Sequence, residues 1–248
     1  VAASRDGETY YRATGKYSYR YTDGDVVRGD RVFNGSAREG EWRGFTPYGE
    51  STWEGFVPYE RVPHVDNPDY LASANQRVVD DPGFYLSTSV GYADPYRGAR
   101  IYDLLDERIR SGEAVDRAFV ESMQADVRSE AAAAFVPQVL DSTAAMDART
   151  RRVARTLGRW DYEMDRDSRA ALLFALFRDR YANATFSDEY YPAGLDEGYY
   201  PHLSTLRTLA ADSEWFDDVR TPDRETRADI IARALAGAVA EADREGYE

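Results

Sequence analysis

A change of apolar period near residue 93 constrains this chain more than any other feature. Before it, the sequence reads as short strands and turns. Tyr10-Tyr11-Arg12-Ala13-Thr14-Gly15 and Tyr17-Ser18-Tyr19-Arg20-Tyr21 are rich in β-forming aromatics, and Gly15 separates the two runs. The second run alternates Tyr with polar residues, as a half-buried strand does. Cross-strand packing explains such tyrosines, and a sugar-binding face is the alternative. Asp23-Gly24 and Asn34-Gly35 are turn dipeptides. After residue 93 the apolar residues recur at helical spacing. Ile101, Leu104, Leu105 and Ile109 share one face, and Gly112 follows as a stop. Val115, Phe119, Val120 and Met123 repeat the pattern, as do Phe135, Val139 and Leu140, with Pro137 marking a kink or a first turn. Leu172, Leu173, Leu176 and Phe177 form another stripe, capped by Asp167 or Ser168. Ile230, Ile231, Leu235 and Val239 mark a long final helix, capped by Thr226 or Thr221. Residues 183–203 are rich in Tyr, Pro and Gly and read as a loop. The expected fold class is α+β, β-rich over residues 1–92 and helical over residues 93–248.

Composition removes several kinds of function. The chain has 248 residues, 43% of them apolar and 13% aromatic, which is ample for a folded core. No apolar run approaches the roughly 18 residues that cross a bilayer, so no membrane span is expected. The opening Val1-Ala2-Ala3-Ser4-Arg5 carries no apolar leader, so an export address is expected to have been removed or never present. Compartment stays open. There is no cysteine, which excludes disulfides, thiolate nucleophiles and cysteine-bound zinc. The only histidines are His64 and His202, too few for a dedicated histidine metal centre. The net charge of -14 disfavours nucleic acid as a partner, because binding it needs a basic face to displace counterions. Among 31 basic residues only Lys16 is a lysine. Abundant acids with almost no lysine read as adaptation to high salt, where surface repulsion is screened. A coding bias toward arginine is the alternative.

General catalytic motifs are missing. The sequence holds no glycine-rich phosphate loop, zinc-protease helix, serine elbow or calcium loop. The acid pairs Asp80-Asp81, Asp217-Asp218 and Asp165 with Asp167 read as solvated surface. Asn34-Gly35-Ser36 and Asn183-Ala184-Thr185 match a glycosylation sequon that is short enough to arise by chance.

An ordered series of segments is far more specific. Glu41-Trp42-Arg43-Gly44 is followed by Trp53-Glu54-Gly55-Phe56-Val57-Pro58 and Asn67-Pro68. Leu71-Ala72-Ser73-Ala74-Asn75-Gln76 and Tyr96-Arg97-Gly98-Ala99-Arg100-Ile101 come next. Gln124-Ala125-Asp126 with Ser129, then Leu157-Gly158-Arg159-Trp160-Asp161, continue it. The series resembles the penicillin acylase (penicillin amidase) family of N-terminal nucleophile hydrolases, and the likeness thins after about residue 182. The resemblance implies a partial Ntn-hydrolase sheet of the αββα type over 1–92 and a helical region of the β subunit over 93–248. It also implies hydrolysis of an N-acyl amide, a penicillin, an acylated homoserine lactone or another N-acyl amine. In that family an N-terminal Ser attacks the amide carbonyl, with its own α-amine as base. A backbone N–H and an Asn side chain then stabilise the oxyanion.

Carried over by position, the oxyanion role falls to Asn75, at the end of an apolar strand over Leu71–Ala74. The first Arg of the helix motif, which supports the active site, is Arg97. Gln76 departs from the family's second Asn, so the register can be shifted by one. Read without the resemblance, Asn75 is a turn-forming residue and Arg97 an ordinary ion-pair partner. The family's Ser-Asn-Asn-Trp start does not occur in these 248 residues. The chain is therefore expected to be an internal fragment of a β subunit, inactive alone, with the α subunit and the rest of the β subunit as its partners. The chemistry implies no cofactor. A structural calcium accompanies the family, with ligands not identifiable here. The rival reading is a non-catalytic acidic module that docks a partner or a glycan through its aromatic β face.

Overall fold

The computed structural model describes residues 1–29, 31–44, 52–77, 79, 84 and 92–247. They divide into two units, Val1–Ala93 and Asp94–Glu248, each taken by itself below.

The first unit carries five short strands: β1 (Ala2–Ala3), β2 (Thr9–Arg12), β3 (Arg20–Thr22), β4 (Asp25–Val27) and β5 (His64–Asp66). Strands β1, β2 and β5 form an antiparallel sheet in that order, with Tyr10 opposite both Ala2 and Asp66. Strands β3 and β4 form a hairpin in which Thr22 faces Asp25. Its two-residue loop has φ of 52° at Asp23 and 94° at Gly24. Two successive positive φ angles are the type I′ geometry that matches strand twist, and Asp-Gly supplies them at low cost. Asn34-Gly35 acts differently. Its Asn34 side chain accepts a bond from Ser36 N and caps a short 3₁₀ turn over Gly35–Ala37.

The tyrosine run Tyr17–Tyr21 is strand-like only at its end. Ser18 makes a lone bridge to Phe56, while Tyr17 and Tyr19 pack on a small core of Val57, Val62 and Phe84. Core packing, not a sugar-facing surface, accounts for these two rings. Gly55 explains why this region needs a glycine. Its φ is +74°, and a Cβ there would lie 2.7 Å from the Cβ of Arg43. Its carbonyl accepts from Tyr19 N at 2.8 Å.

Among the described residues, the expected apolar strand over Leu71–Ala74 does not appear: these four residues are assigned no strand, and of them only Ala74 is buried. Four small or apolar residues without alternation leave the local preference undecided. Residues 45–51, 78, 80–83 and 85–91, including the Asp80-Asp81 pair, lie outside the described residues.

The second unit carries α1 (Tyr96–Arg110), α2 (Arg117–Gln124), α3 (Glu130–Asp141), α4 (Ala148–Leu157), α5 (Arg169–Tyr190), α6 (Leu203–Thr208) and α7 (Arg227–Arg244). The fold class is thus α+β. Start signals are local and clean. Asp116, Ser129, Asp147 and Ser168 each accept a hydrogen bond from a first-turn N–H of the helix that follows. Thr226 and Asp229 form a reciprocal capping box on α7. Pro137 is the eighth residue of α3, which runs through it to Asp141.

Helix α5 is longer than its sequence suggests. The stretch expected to open a loop at residue 183 stays helical to Tyr190, because Thr185, Phe186, Ser187 and Asp188 are all buried. Tertiary burial outweighs the weak propensity of Asn, Thr, Ser and Asp. Helices α5 and α7 pack along each other and form the centre of the core. Tyr181, fully buried, stacks between Phe177 and Phe216 with ring centroids 5.4 Å and 6.3 Å away. Each of the two flanking Phe side chains contributes about 1.5–3 kcal/mol by leaving water. Among the described residues, no helix is long and apolar enough to cross a membrane.

Candidate active-site elements

Asn75 lies at an exposed bend with φ of 66°, in the left-handed region that Asn tolerates better than most residues. Two hydrogen bonds hold the bend, one local and one from a residue 18 positions on. Ala93 N donates to the Asn75 carbonyl at 2.8 Å, and Ala74 N donates to Gln76 Oε1 at 2.6 Å. The Gln76 side chain is thereby bound to its own turn. The platform under Asn75 is a hydrogen-bonded bend and not the end of a strand.

Arg97 is the second residue of α1. The start of this helix is well anchored. Asp94, just before it, accepts from Leu203 N at 3.1 Å and Ser204 N at 2.9 Å, which ties it to the first turn of α6. Tyr96 packs edge-on against Phe135 of α3, centroids 6.3 Å apart. Burial raises the Tyr96 phenol pKa, and the Asp94 carboxylate adds to the rise. Asn75 belongs to the first unit and Arg97 to the second.

One arginine in the same helix was not singled out by sequence reasoning. Arg100 binds Asp126 through two parallel bonds, Nε to Oδ1 at 2.9 Å and Nη2 to Oδ2 at 2.6 Å. The pair is mostly withdrawn from water, with side-chain exposures of 24% and 18%. The Asp126 pKa is lowered, first by the Arg100 hydrogen bond. Both residues stand in quoted motifs, but nothing in sequence spacing pairs them.

The second unit also has an open charged groove of about 600 Å³ between α5 and α7. Arg180, Asn183, Asp218, Arg220, Arg233 and Glu241 line it. Asp218, read from sequence as half of a solvated acid pair, is only 5% exposed. Arg220 binds it at 2.7 Å and 2.9 Å, and Arg233 binds it at 3.1 Å. The loop that follows 3₁₀ turn Glu214–Phe216 is fastened to α5, where buried Asp188 accepts from Val219 N at 2.8 Å. A carboxylate so placed needs its arginines, since an unpaired buried charge is strongly unfavourable. The groove's arginines are therefore neutralised by their own acids. Asn183, of the second sequon, donates to the hydroxyls of Tyr191 and Tyr200 at 2.9 Å and 3.3 Å.

Among the described residues, no three His, Asp or Glu side chains are grouped so as to hold a metal ion.

Comparison with known proteins agrees with the ordered motifs. The penicillin amidase family model matches residues 1–248. Two acyl-homoserine lactone acylases named QuiP are similar, one from Pseudomonas syringae pv. tomato and one from Pseudomonas syringae pv. syringae. Each is 30% identical over 192 residues, covering 70% of this chain. The chain spans 23% of the length of these curated relatives.

Proposed function

This chain belongs to the penicillin amidase family, and on that premise we propose that it is part of an acylase that hydrolyses N-acyl amide bonds. The observation that carries the reading is the family match across all 248 residues. It favours a catalytic parent over a non-catalytic docking module. The relatives' names make acyl-homoserine lactones the first substrates to test, ahead of penicillins and other N-acyl amines.

The reaction needs a nucleophile that these residues do not include in the family's context, and we assign it to the remainder of the parent protein. Its Ser hydroxyl attacks the amide carbonyl and passes its proton to the α-amine. Collapse of the tetrahedral intermediate breaks the C–N bond, and the departing amine takes that proton. Water then cleaves the acyl-serine ester. In this reading Asn75 presents its carboxamide N–H to the oxyanion, and Arg97 supports the site with positive charge. The hydrogen-bonded bend under Asn75 suits that task. A donor held on a fixed turn meets the developing charge without reorganising. Gln76, already bound to Ala74 N, serves the turn instead. A high-salt habitat fits the charge composition and belongs to the same proposal.

The test is a substitution series in the parent enzyme, assayed with a long-chain acyl-homoserine lactone. Asn75→Ala should lower turnover roughly 10²–10³-fold, about 3–4 kcal/mol, with little change in KM. Gln76→Ala should keep most of its turnover. Near-normal turnover of Asn75→Ala removes the oxyanion role from this bend. If Gln76→Ala alone is crippled, the role moves by one residue.

A further inference from the structure

Two segments that lie 26 residues apart in sequence meet at one bidentate contact, Arg100 with Asp126. Arg100 sits three residues after Arg97 in α1, so the two side chains leave the helix on neighbouring positions of one face. Both nitrogens of the Arg100 fork are used, one on each carboxylate oxygen. A fork of this kind restrains rotation of the helix as well as its distance, which a single bond or a lysine does not.

Asp126 is itself held in place. Arg128 N donates to its Oδ1 at 3.3 Å. The strip that follows it is pinned on both sides. Met164 N donates to the Val127 carbonyl at 3.0 Å, and Ser129 N donates to the Tyr162 carbonyl at 2.9 Å. Arg128 reaches the Asp161 carbonyl at 2.8 Å. Ser129 then caps α3, whose Phe135, Val136 and Val139 lie in the core. A continuous set of bonds therefore runs from the packed centre of the unit to the first turns of α1.

We propose that Arg100 and Asp126 are positioning residues for acyl transfer: their paired hydrogen bonds set the rotation and seating of α1, and so the place at which Arg97 is presented. The proposal rests on the acylase reading above and on Arg97's role within it. Neither Arg100 nor Asp126 touches substrate in this account. They act through Arg97, whose helix start has its other anchors in Asp94 and Tyr96.

The experiment is a double-mutant cycle in the parent enzyme, with kcat, KM and the melting temperature measured for each variant. Arg100→Lys keeps the charge and loses the fork. It should lower kcat about 10-fold to 100-fold, the cost of misplacing a reacting group by about an ångström, while KM changes less than about twofold. The cost of Arg97→Ala should be clearly smaller in the Arg100→Lys background than in the wild type, since a misplaced Arg97 has less to lose. A pair that only stabilises the fold lowers the melting temperature, leaves kcat unchanged in the folded enzyme and gives additive effects. That outcome overturns the proposal. If Arg100→Lys fails to fold, Asp126→Glu lengthens the same clamp without removing either charge, and the same split between kcat and KM applies. Arg97→Ala alone separates the two levels. Full activity of that single variant overturns the underlying reading, and with it the positioning role. A crippled Arg97→Ala beside an unaffected Arg100→Lys overturns the positioning role only.

Discussion

Glu189 and Asp218 lie in one contact between α5 and the loop after residue 216, yet their proton affinities move in opposite directions. The Glu189 carboxyl is pushed up to about 7, first by burial, then by the neighbouring Asp188 and by Asp218. Asp218 is held down to about 2, first by the Arg220 hydrogen bond, with Arg233 adding to it. The linkage signs differ accordingly. Glu189 binds its proton more tightly when folded, so its contribution is complete below about pH 4.5 and is lost as pH rises through 7. Asp218 contributes above about pH 3.8 and loses that contribution as pH falls toward 2. The expected outcome is that Glu189→Gln flattens the fall in melting temperature between about pH 5 and pH 8, and raises it at pH 8. Thermal unfolding followed by circular dichroism across that range checks it. A variant that tracks the wild type at every pH contradicts the assignment. None of this was legible in the sequence, where Asp217-Asp218 looks like many other acid pairs. Burial came from packing between residues roughly 30 positions apart, and no local pattern records it.

At the scale of elements, glycines and caps carry the local information. Gly55 holds a positive φ against the Arg43 backbone, with a Cβ position 3.1 Å from Arg43 C and Cα. Gly55→Ala therefore meets both a left-handed backbone penalty of about 1–2 kcal/mol and a crowded neighbour. A melting temperature lowered by several degrees is expected, and an unchanged one would show that the turn can relax. Ser168→Ala at the start of α5 should cost about 1 kcal/mol, measured by denaturant unfolding. Such caps were readable in advance because each is a contact within a few residues. For α5 the sequence offered Asp167 or Ser168, and the hydrogen bond to Ala171 N selects Ser168. The far end of α5 was not readable. Its last turns are polar, and only burial against α7 and the loop after residue 216 keeps them helical. The supposed strand before Asn75 was misread because Leu71–Ala74 carries no alternation of apolar and polar residues, and among the described residues these four carry no strand.

At the scale of the whole molecule, charge and family membership give two further expectations. Forty-five acids against 31 bases leave -14 charges with a single lysine, so self-repulsion is costly at low ionic strength. The thermal midpoint should rise between about 0.1 M and about 3 M KCl, as screening shortens the Debye length to a few ångströms. A flat or falling midpoint removes the high-salt reading and leaves the family assignment intact. The second expectation is that the 248-residue chain, purified alone, hydrolyses no acyl-homoserine lactone, because the family's nucleophile context is missing from it. Turnover that survives repurification and depends on Ser4 contradicts this. What the sequence determined by itself is what short range and order along the chain can encode. That includes the Asp23-Gly24 turn, the region where α5 and α7 start, the α+β class and the ordered motifs that identify the family. Only the tertiary structure decided that Asn75 stands on a hydrogen-bonded bend, that Asp218 is buried and that Arg100 meets Asp126. Each depends on which distant backbone or side chain supplies the partner, and partners separated by tens of residues leave no periodic trace in either of their segments.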